Sequence, residues 1–327
     1  MNIFNTKFLA GFGIAFVFVV IGLGAWTRLA DAGLGCPDWP GCYGLITFPT
    51  TAEEIAIAEE LFPDSPVEID KIIPEWVHRL FAGLAGLLAV FLVFIAFKEK
   101  RFVKTSLTLL VAISCQGIFG ALTVTLLLHP LIVTAHLFGA MVVASLFLII
   151  FLRSLNLKSN YHALIVNKGF IFFGFALIIF QIFLGAWTST NYAARACLDI
   201  PLCQGELFPE TDFSEGFNLF QPLGDNYLYG QMSDNARVAI HLTHRIGAIV
   251  VLLYSLFLAH KIWSPTTKKI VIIFLSLLGI QIFLGINNVL SSLPLWNAVA
   301  HNIVGVMLFM CFVVMIYLSK GNKYESE

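Results

Sequence analysis

The sequence predicts an all-α polytopic membrane protein whose eight transmembrane helices form two tandem, pseudo-two-fold related four-helix bundles. Three observations support this fold class. First, 58% of the 327 residues are hydrophobic and only 12% are charged, which is typical of membrane proteins. Second, apolar stretches long enough to cross a bilayer of about 30 Å occur eight times. Third, the unusual residues of the first half recur in order in the second half.

The eight apolar stretches give the expected positions of the helices. They lie near 8–27, 74–97, 103–127, 130–152, 169–187, 238–260, 269–290 and 294–318. The first is long and lacks a small-x-small cleavage site, so we expect it to remain as a helix rather than to be removed as a signal peptide. Glu53, Glu54, Glu59 and Glu60 lie in a run rich in Ala and Ile, which predicts a short surface helix.

The internal repeat divides the chain into two modules, expected at 1–157 and 158–327. The features that match between the copies are Gly24-Ala25-Trp26-Thr27 with Gly185-Ala186-Trp187-Thr188, Cys36 and Cys42 with Cys197 and Cys203, Gln116 and Gly120 with Gln281 and Gly285, His78 with His244, and His136 with His301. Each module has four spans, so both have the same orientation and a pseudo-two-fold axis along the membrane normal is expected. Short links between the later helices of each module predict up-down bundles.

Lysine and arginine positions predict which side of the membrane each loop occupies. Placing both termini in the cytoplasm puts 13 basic residues inside and leaves 6 outside, as the positive-inside rule favours. The two long loops, 28–73 and 188–237, are then extracytoplasmic. We therefore expect a multi-pass protein of the cell (inner) membrane, surrounded by lipid and without a nucleic-acid partner.

Four histidines occupy equivalent positions in the two modules: His78, His136, His244 and His301. His78 is expected one turn inside the second span, after Pro74 as a first-turn proline, and His136 slightly deeper in the fourth span. In an up-down bundle the second and fourth helices lie across the core from each other, so the two histidines of each module can bind one group between them. A small side chain follows each histidine by four residues, which leaves room for a flat macrocycle.

Two opposed imidazoles without a nearby Cys or Asp cluster suit haem iron better than zinc, which prefers four tetrahedral ligands. The alternative is that these histidines only form hydrogen bonds between helices. Their equivalence in a repeat favours ligation, because polar groups inside spans are usually functional. His129, His162 and His260 do not share the pattern and are expected to be structural or solvated, whereas His241 stays open.

The modules differ at the position three residues before the first histidine of each pair. Glu75 precedes His78, whereas His241 occupies this position in the second module. A carboxylate at one site only favours a general acid/base or a group that stabilises positive charge. The alternative is a first-turn acid that the helix dipole stabilises. Arg79 and Arg245 follow the histidines and either pair with haem propionates or anchor the helices at the membrane interface.

The cysteine pairs share a spacing of six residues and lie in loops expected outside, where disulfides persist. Disulfides Cys36–Cys42 and Cys197–Cys203 that brace the loops are one interpretation. The other is a redox role, in accepting electrons or in handling haem entry. Cys115 and Cys311 lie within spans and are expected to pack there.

Taken together, these residues resemble the haem A synthase family. The resemblance rests on the run 22–28, both cysteine pairs, segments 75–79 and 241–245, and His136 and His301, and it covers nearly the whole chain. It implies an oxidoreductase that converts the C8 methyl group of haem O into a formyl group by successive hydroxylations. The product, haem A, serves terminal oxidases.

The resemblance also implies a role for each site residue. His78 and His136 would ligate the iron of the substrate haem O, and Glu75 would be the catalytic carboxylate. His244 and His301 would ligate a haem b cofactor that takes electrons from the substrate. Expected partners are the enzyme that makes haem O, an electron acceptor that the sequence does not identify, and further copies of the chain in a homo-oligomer.

Other functions would share some of these features. A di-haem b-type, quinol-linked electron carrier would keep the four histidines and would not require Glu75. A membrane thiol–disulfide enzyme would use the cysteine pairs and tolerate loss of the histidines. A haem transporter is a third alternative, and the similar depth of both sites argues against it.

Overall fold

Helices make up all the regular secondary structure of residues 5–157 and 161–320, the part of the chain that the computed structural model describes. The α-helices, in chain order, are α1 (Thr6–Leu29), α2 (Ala52–Leu61), α3 (Ile69–Glu99), α4 (Val103–Thr125), α5 (Pro130–Ser154), α6 (His162–Val166), α7 (Lys168–Thr190), α8 (Phe213–Gly216), α9 (Asp234–Ile262), α10 (Lys268–Leu290) and α11 (Leu295–Ser319), and a short 3₁₀ helix covers Ala193–Arg195. Eight of them, α1, α3, α4, α5, α7, α9, α10 and α11, are long and apolar enough to cross a membrane. The predicted all-α, multi-pass fold is confirmed.

The start of α3 differs from the prediction. The helix begins at Ile69 rather than near residue 74, so Pro74 is its sixth residue and does not lie in the first turn. Hydropathy marks only the apolar part of a helix, whereas the first turn of α3 contains the charged residues Asp70 and Lys71. In that turn Lys71 Nζ lies 2.9 Å from a carboxylate oxygen of Glu68, the residue that precedes the helix.

The predicted surface helix is α2, and its first turn has a capping box. The Thr51 hydroxyl accepts the Glu54 N–H at 3.2 Å, and the Glu54 carboxylate accepts the Thr51 N–H at 3.0 Å. Hydrogen bonds from the backbone N–H groups of Thr50 and Thr51 lower the pKa of Glu54 to about 2. These contacts explain why an acidic run forms a helix at this place.

The chain folds as two compact units. Unit 1 runs to Phe147 and includes Asn218–Gln231, and unit 2 comprises Leu148–Phe217 and the chain from Met232 onwards. The predicted boundary at 157/158 borders residues 158–160, which lie outside the described residues, as do Lys158 and Lys323 of the charge argument. The side of the membrane that each loop faces and the pseudo-two-fold axis stay predictions.

Four helices close a ring in unit 1. Helix α1 packs against α3, and α3 packs against α4. Helix α4 reaches α5 through Gln116, whose Nε2 donates to the carbonyl of His136 at 2.7 Å. Helix α5 returns to α1, where the ring of Phe147 lies against Gly13. Helices α3 and α5, which carry His78 and His136, therefore stand at opposite corners of a four-helix bundle.

Unit 2 contains a ring of the same kind. Helix α9 packs against α7 and α10, and α11 packs against α10 and α7. The rings of Phe274 and Phe312 meet edge to face at 5.4 Å between their centroids inside the unit. At the loop end, Trp187 Nε1 donates to the Gly216 carbonyl at 2.8 Å and ties α7 to α8. Helices α9 and α11, which carry His244 and His301, stand at opposite corners.

Candidate haem sites

Each of the four repeated histidines rests against a glycine of a neighbouring helix. The pairs are His78 with Gly24, His136 with Gly120, His244 with Gly185, and His301 with Gly285. A Cβ added at these glycines would lie 2.8, 3.4, 3.1 and 3.2 Å, respectively, from Cε1 of the imidazole. Ordinary contacts between carbon atoms are about 3.5–4.0 Å. A residue without a side chain is therefore what lets the imidazole approach the helix, and this arrangement is the same at all four sites.

The four imidazoles form one pair in each unit, carried by helices at opposite corners of the bundle. His78 and His136 form one such pair, and His244 and His301 form the other. The Nδ1 atoms of His78, His136 and His301 are buried and have no hydrogen-bond partner within the described part of the chain. An unpaired buried polar atom costs about 1–3 kcal/mol unless a ligand satisfies it. Each pair thus offers ring nitrogens for a metal between opposite helices.

The donor set decides which kind of metal centre fits. In residues 5–157 and 161–320 no group of three or more His, Cys, Asp and Glu side chains is arranged to hold a metal ion. Haem iron needs only two axial ligands from the protein, because the macrocycle supplies the remaining ones. The residues present therefore fit a bis-histidine haem in each unit.

The first disulfide loop closes over Glu75. This residue is only 4% exposed, and its carboxylate accepts the N–H of Cys36 at 2.9 Å and pairs with the Arg79 guanidinium. Arg79 Nη1 also donates to the carbonyls of Asp38 and Gly41 at 2.7 and 2.6 Å, and its Nη2 donates to the Cys36 carbonyl at 3.2 Å. The loop thus holds the carboxylate in one position, three residues before His78 on α3.

The second loop repeats the arginine contacts and lacks the carboxylate. Arg245 donates to the carbonyls of Asp199 and Leu202, both at 2.9 Å, and to that of Cys197 at 3.0 Å. His241 occupies the position of the missing carboxylate and is 4% exposed. The asymmetry between the modules is therefore also present in the contacts of the two loops, since only the first loop packs over a carboxylate.

Each cysteine pair forms a disulfide with 4.7 Å between its Cα atoms. Inside each loop one aspartate carboxylate accepts two backbone N–H groups from the residues that follow the second cysteine. Asp38 accepts those of Tyr43 and Gly44 at 2.6 and 2.8 Å, and Asp199 accepts those of Gln204 and Gly205 at 3.0 and 2.8 Å. The N–H of Gly205 is the main cause that lowers the pKa of Asp199. These contacts favour a bracing role for both disulfides.

The other histidines lie apart from these pairs. His129 is buried in unit 1, where its Nε2 lies 3.1 Å from the Gln221 carbonyl and its ring meets that of Tyr227 edge to face at 5.2 Å. His162 is exposed at the first residue of α6, and His260 is exposed in the last turn of α9.

The two remaining cysteines are free. Cys311 is half-buried in α11, whereas Cys115 is exposed on α4. The expectation that both pack inside is therefore wrong for Cys115. Its neighbour Gln116 takes the inward face of α4, so the next side chain back points away from the bundle.

Comparison with known proteins identifies the family. The model of the COX15-CtaA family, described as a cytochrome oxidase assembly protein, matches residues 7–313. The chain belongs to this family. The heme A synthase of Shewanella oneidensis is 38% identical over 314 residues, which cover 93% of each chain. Those of Alkalihalophilus pseudofirmus and Wolbachia pipientis wMel are 27% and 28% identical, over 91% and 90% of this chain and 92% and 86% of theirs.

The match confirms the family that the sequence analysis identified by resemblance. Within this COX15-CtaA chain, the structure adds residues to which the sequence analysis gave no role. They are the loop aspartates, and the glutamines that contact the histidines. Asp38 and Asp199 each come two residues after the first cysteine of a pair, and each glutamine comes four residues before a glycine that packs on a histidine. The repeat already matches Gln116 and Gly120 with Gln281 and Gly285, and the spacing of the two aspartates is equally visible in the sequence.

Proposed function

We propose that this protein is a haem A synthase that oxidises the methyl group at ring carbon 8 of haem O to a formyl group. The observation that carries the proposal is the pair of opposed, glycine-packed imidazoles in each unit, with a buried carboxylate beside one pair only. Membership of the COX15-CtaA family and the heme A synthase relatives support haem A biosynthesis. They give no support to the alternative of a quinol-linked di-haem electron carrier.

The chemistry requires an oxidant. Two successive hydroxylations of the methyl carbon give a geminal diol, which loses water to leave the aldehyde. Counted with water as the source of oxygen, a methyl group and one water become a formyl group, four protons and four electrons. The protein therefore needs a group that stabilises positive charge or takes protons at the methyl carbon, and a route for electrons.

The first unit has the residues for the substrate half of this chemistry. His78 and His136 would hold the iron of haem O, and Gly24 and Gly120 leave the space that their rings need. Glu75 would be the carboxylate that acts at the methyl carbon. Because the Cys36 N–H and Arg79 hold it in one position, it would meet the substrate without reorganising.

The second unit has the residues for the cofactor. His244 and His301 would hold haem b, which supplies a one-electron acceptor when it is bound. Arg245 and Arg79 would be the propionate contacts. The loop carbonyls and Glu75 already take four of the five N–H groups of Arg79, so Nε–H is the donor that remains for a propionate.

Further parts of the proposal concern surroundings and partners. The ends that carry the disulfides would face the extracytoplasmic side of the cell membrane, because disulfides persist in oxidising compartments. The enzyme that makes haem O, an electron acceptor and a second copy of the chain are the partners that we propose.

The role of Glu75 is tested with Glu75→Gln and a matched control, Glu60→Gln, which makes the same change at an exposed position of α2. Both proteins are purified from cells that supply haem O, and their extracted haems are identified and quantified by mass spectrometry. We expect Glu75→Gln to keep both haems and to form at least about 100-fold less hydroxylated and formyl product, as for loss of a general acid/base. The control should resemble the unaltered protein. An active Glu75→Gln enzyme would refute the assignment.

A further inference from the structure

Three of the four histidines are contacted by a glutamine from the helix on which they pack, one at the backbone carbonyl, one at the imidazole and one at both. Gln116 Nε2 donates to the carbonyl of His136 at 2.7 Å. Gln181 Nε2 donates to the carbonyl of His244 at 2.9 Å and lies 3.0 Å from Nδ1 of the same residue. Gln281 Nε2 lies 3.2 Å from Nε2 of His301. In each case the glutamine comes four residues before the glycine that faces the ring.

The fourth imidazole, that of His78, has no such glutamine. The residue four positions before Gly24 is Val20. Three residues after the histidine, Phe81 occupies the position at which the His244 site has Gly247, the glycine against which the end of Gln181 lies. A valine and a phenylalanine therefore replace a glutamine and a glycine at one site. Phe81 instead stacks on Phe16 of α1, at 5.6 Å between the ring centroids.

The backbone does not account for this difference. The ring of His78 is hydrogen-bonded to the backbone of Val20, and that of His301 is hydrogen-bonded to the backbone of Gln281 at the equivalent position. The carboxamide is what the His78 site lacks. In the three other sites the glutamine Oε1 is buried and has no hydrogen-bond partner within the described ranges.

An unpaired acceptor beside an imidazole has a clear chemical use. A histidine that binds a metal through one ring nitrogen carries a proton on the other, and that N–H needs an acceptor. At Gln281 a rotation of the side-chain end places Oε1 beside the His301 ring. Such partners fix the ring orientation and strengthen the bond to the metal, and their loss typically costs 10–100-fold in affinity. Gln116 and Gln181 instead donate Nε2 to the backbone carbonyl of their histidine and so fix the helix that carries the ring.

We propose that Gln116, Gln181 and Gln281 are positioning residues that hold His136, His244 and His301 in place, and that His78, which has no such glutamine, is the ligand that dissociates first when the substrate haem is exchanged. This inference rests on the proposed function, since it assigns the substrate haem to the first unit. A synthase must release its product, whereas its cofactor stays. The one weakly held ligand belongs to the site that has to open.

The glutamine contacts are tested first at Gly139 and Gly305. A Cβ at Gly139 would overlap Oε1 of Gln116, the flexible end of that side chain, so Gly139→Ala displaces the glutamine while the helix can stay in place. A Cβ at Gly305 would lie 3.4 Å from Nε2 of Gln281, which is an ordinary contact, so Gly305→Ala is the matched control. The readouts are the electron paramagnetic resonance spectrum of each ferric haem and its rate of loss to apomyoglobin.

Gly139→Ala should change the spectrum of the substrate haem and speed its loss at least about 10-fold, and Gly305→Ala should leave haem b unaltered. If the effect acts through the glutamine, Gly139→Ala should add nothing to Gln116→Ala. Additive effects of these two substitutions, or an unaltered Gln116→Ala protein, would overturn the role of the glutamine.

The weak ligand is tested by transplanting the glutamine. Val20→Gln with Phe81→Gly gives the His78 site the pair of residues that the His244 site has. Loss of haem O to apomyoglobin should slow at least about 10-fold relative to Phe81→Gly alone, and Gln181→Met should speed the loss of haem b by a similar factor. Equal rates in the transplanted and the Phe81→Gly proteins would overturn the assignment of His78. Retained haem b shows that the variants of the first unit are folded, and retained haem O shows the same for Gln181→Met.

The outcomes separate this inference from the proposed function. If the protein makes haem A but none of these substitutions changes its haem spectra or release rates, the inference is wrong and the proposed function stands. Protein without haem O in the first unit would sink both.

Discussion

Replacing Gly24 with alanine tests where the substrate haem binds. The added Cβ would lie 2.8 Å from Cε1 of His78, about 0.7 Å inside an ordinary carbon contact. Forcing a methyl group into a packed site costs about 1–3 kcal/mol. If the displaced imidazole is an iron ligand, the substrate haem should bind about 5- to 150-fold more weakly. Gly120→Ala is the matched control, because its Cβ would lie 3.4 Å from Cε1 of His136 and should change binding less than about threefold.

The assay compares two haems in one preparation. Both variants are purified from cells that supply haem O, and the ratio of haem O plus haem A to haem b is measured after extraction. Haem b in the second unit reports that the protein is folded. We expect this ratio to fall at least about fivefold in Gly24→Ala and to hold in Gly120→Ala. An unchanged ratio in Gly24→Ala, or equal loss of both haems, would refute the reasoning.

Three further predictions concern the disulfide loops. Arg245→Met removes three hydrogen bonds to loop carbonyls, each worth about 1.5–3 kcal/mol when the donor is charged, so limited proteolysis should cut residues 191–217 much faster than in the unaltered protein. Cys36→Ala with Cys42→Ala removes a short loop constraint worth about 2 kcal/mol, and amide exchange in residues 30–51 should accelerate while haem b content holds. The pKa of Asp199 lies below its ordinary value of 3.8, so the stabilisation that this carboxylate gives is complete above that pH and is lost as the pH falls through the lowered pKa. Amide exchange of Gly205 should therefore become faster as the pH falls through this pKa. Asp199→Asn should remove this pH dependence, and an Asp199→Asn protein with the same pH profile as the unaltered protein would contradict the prediction.

The sequence predicted the features that periodicity and repetition encode. Spans follow from apolar length, and the equivalence of His78 with His244 follows from the repeat, so the sequence alone predicts both. The start of α3 was not, because hydropathy does not register a polar first turn such as that of Lys71. Exposure of Cys115 was also beyond reach, since which face of α4 turns inward depends on its neighbours.

Long-range contacts explain the remaining differences. Arg79 and Arg245 each follow one of the four repeated histidines, and this adjacency predicts propionate contacts or interfacial anchoring. The structure shows that both guanidiniums reach back about 40 residues to the carbonyls of their disulfide loops. Adjacency along the chain cannot reveal such a contact, because it depends on how the loop folds over the helix end.

The central claim is that one unit holds a haem that is converted and the other a haem that stays. The most direct measurement is extraction and mass analysis of the haems from protein purified with and without a supply of haem O. The account predicts haem b alone without haem O, and haem b together with haem A or hydroxylated haem O when it is supplied. Haem b at two per chain in both preparations would contradict the account and favour an electron carrier.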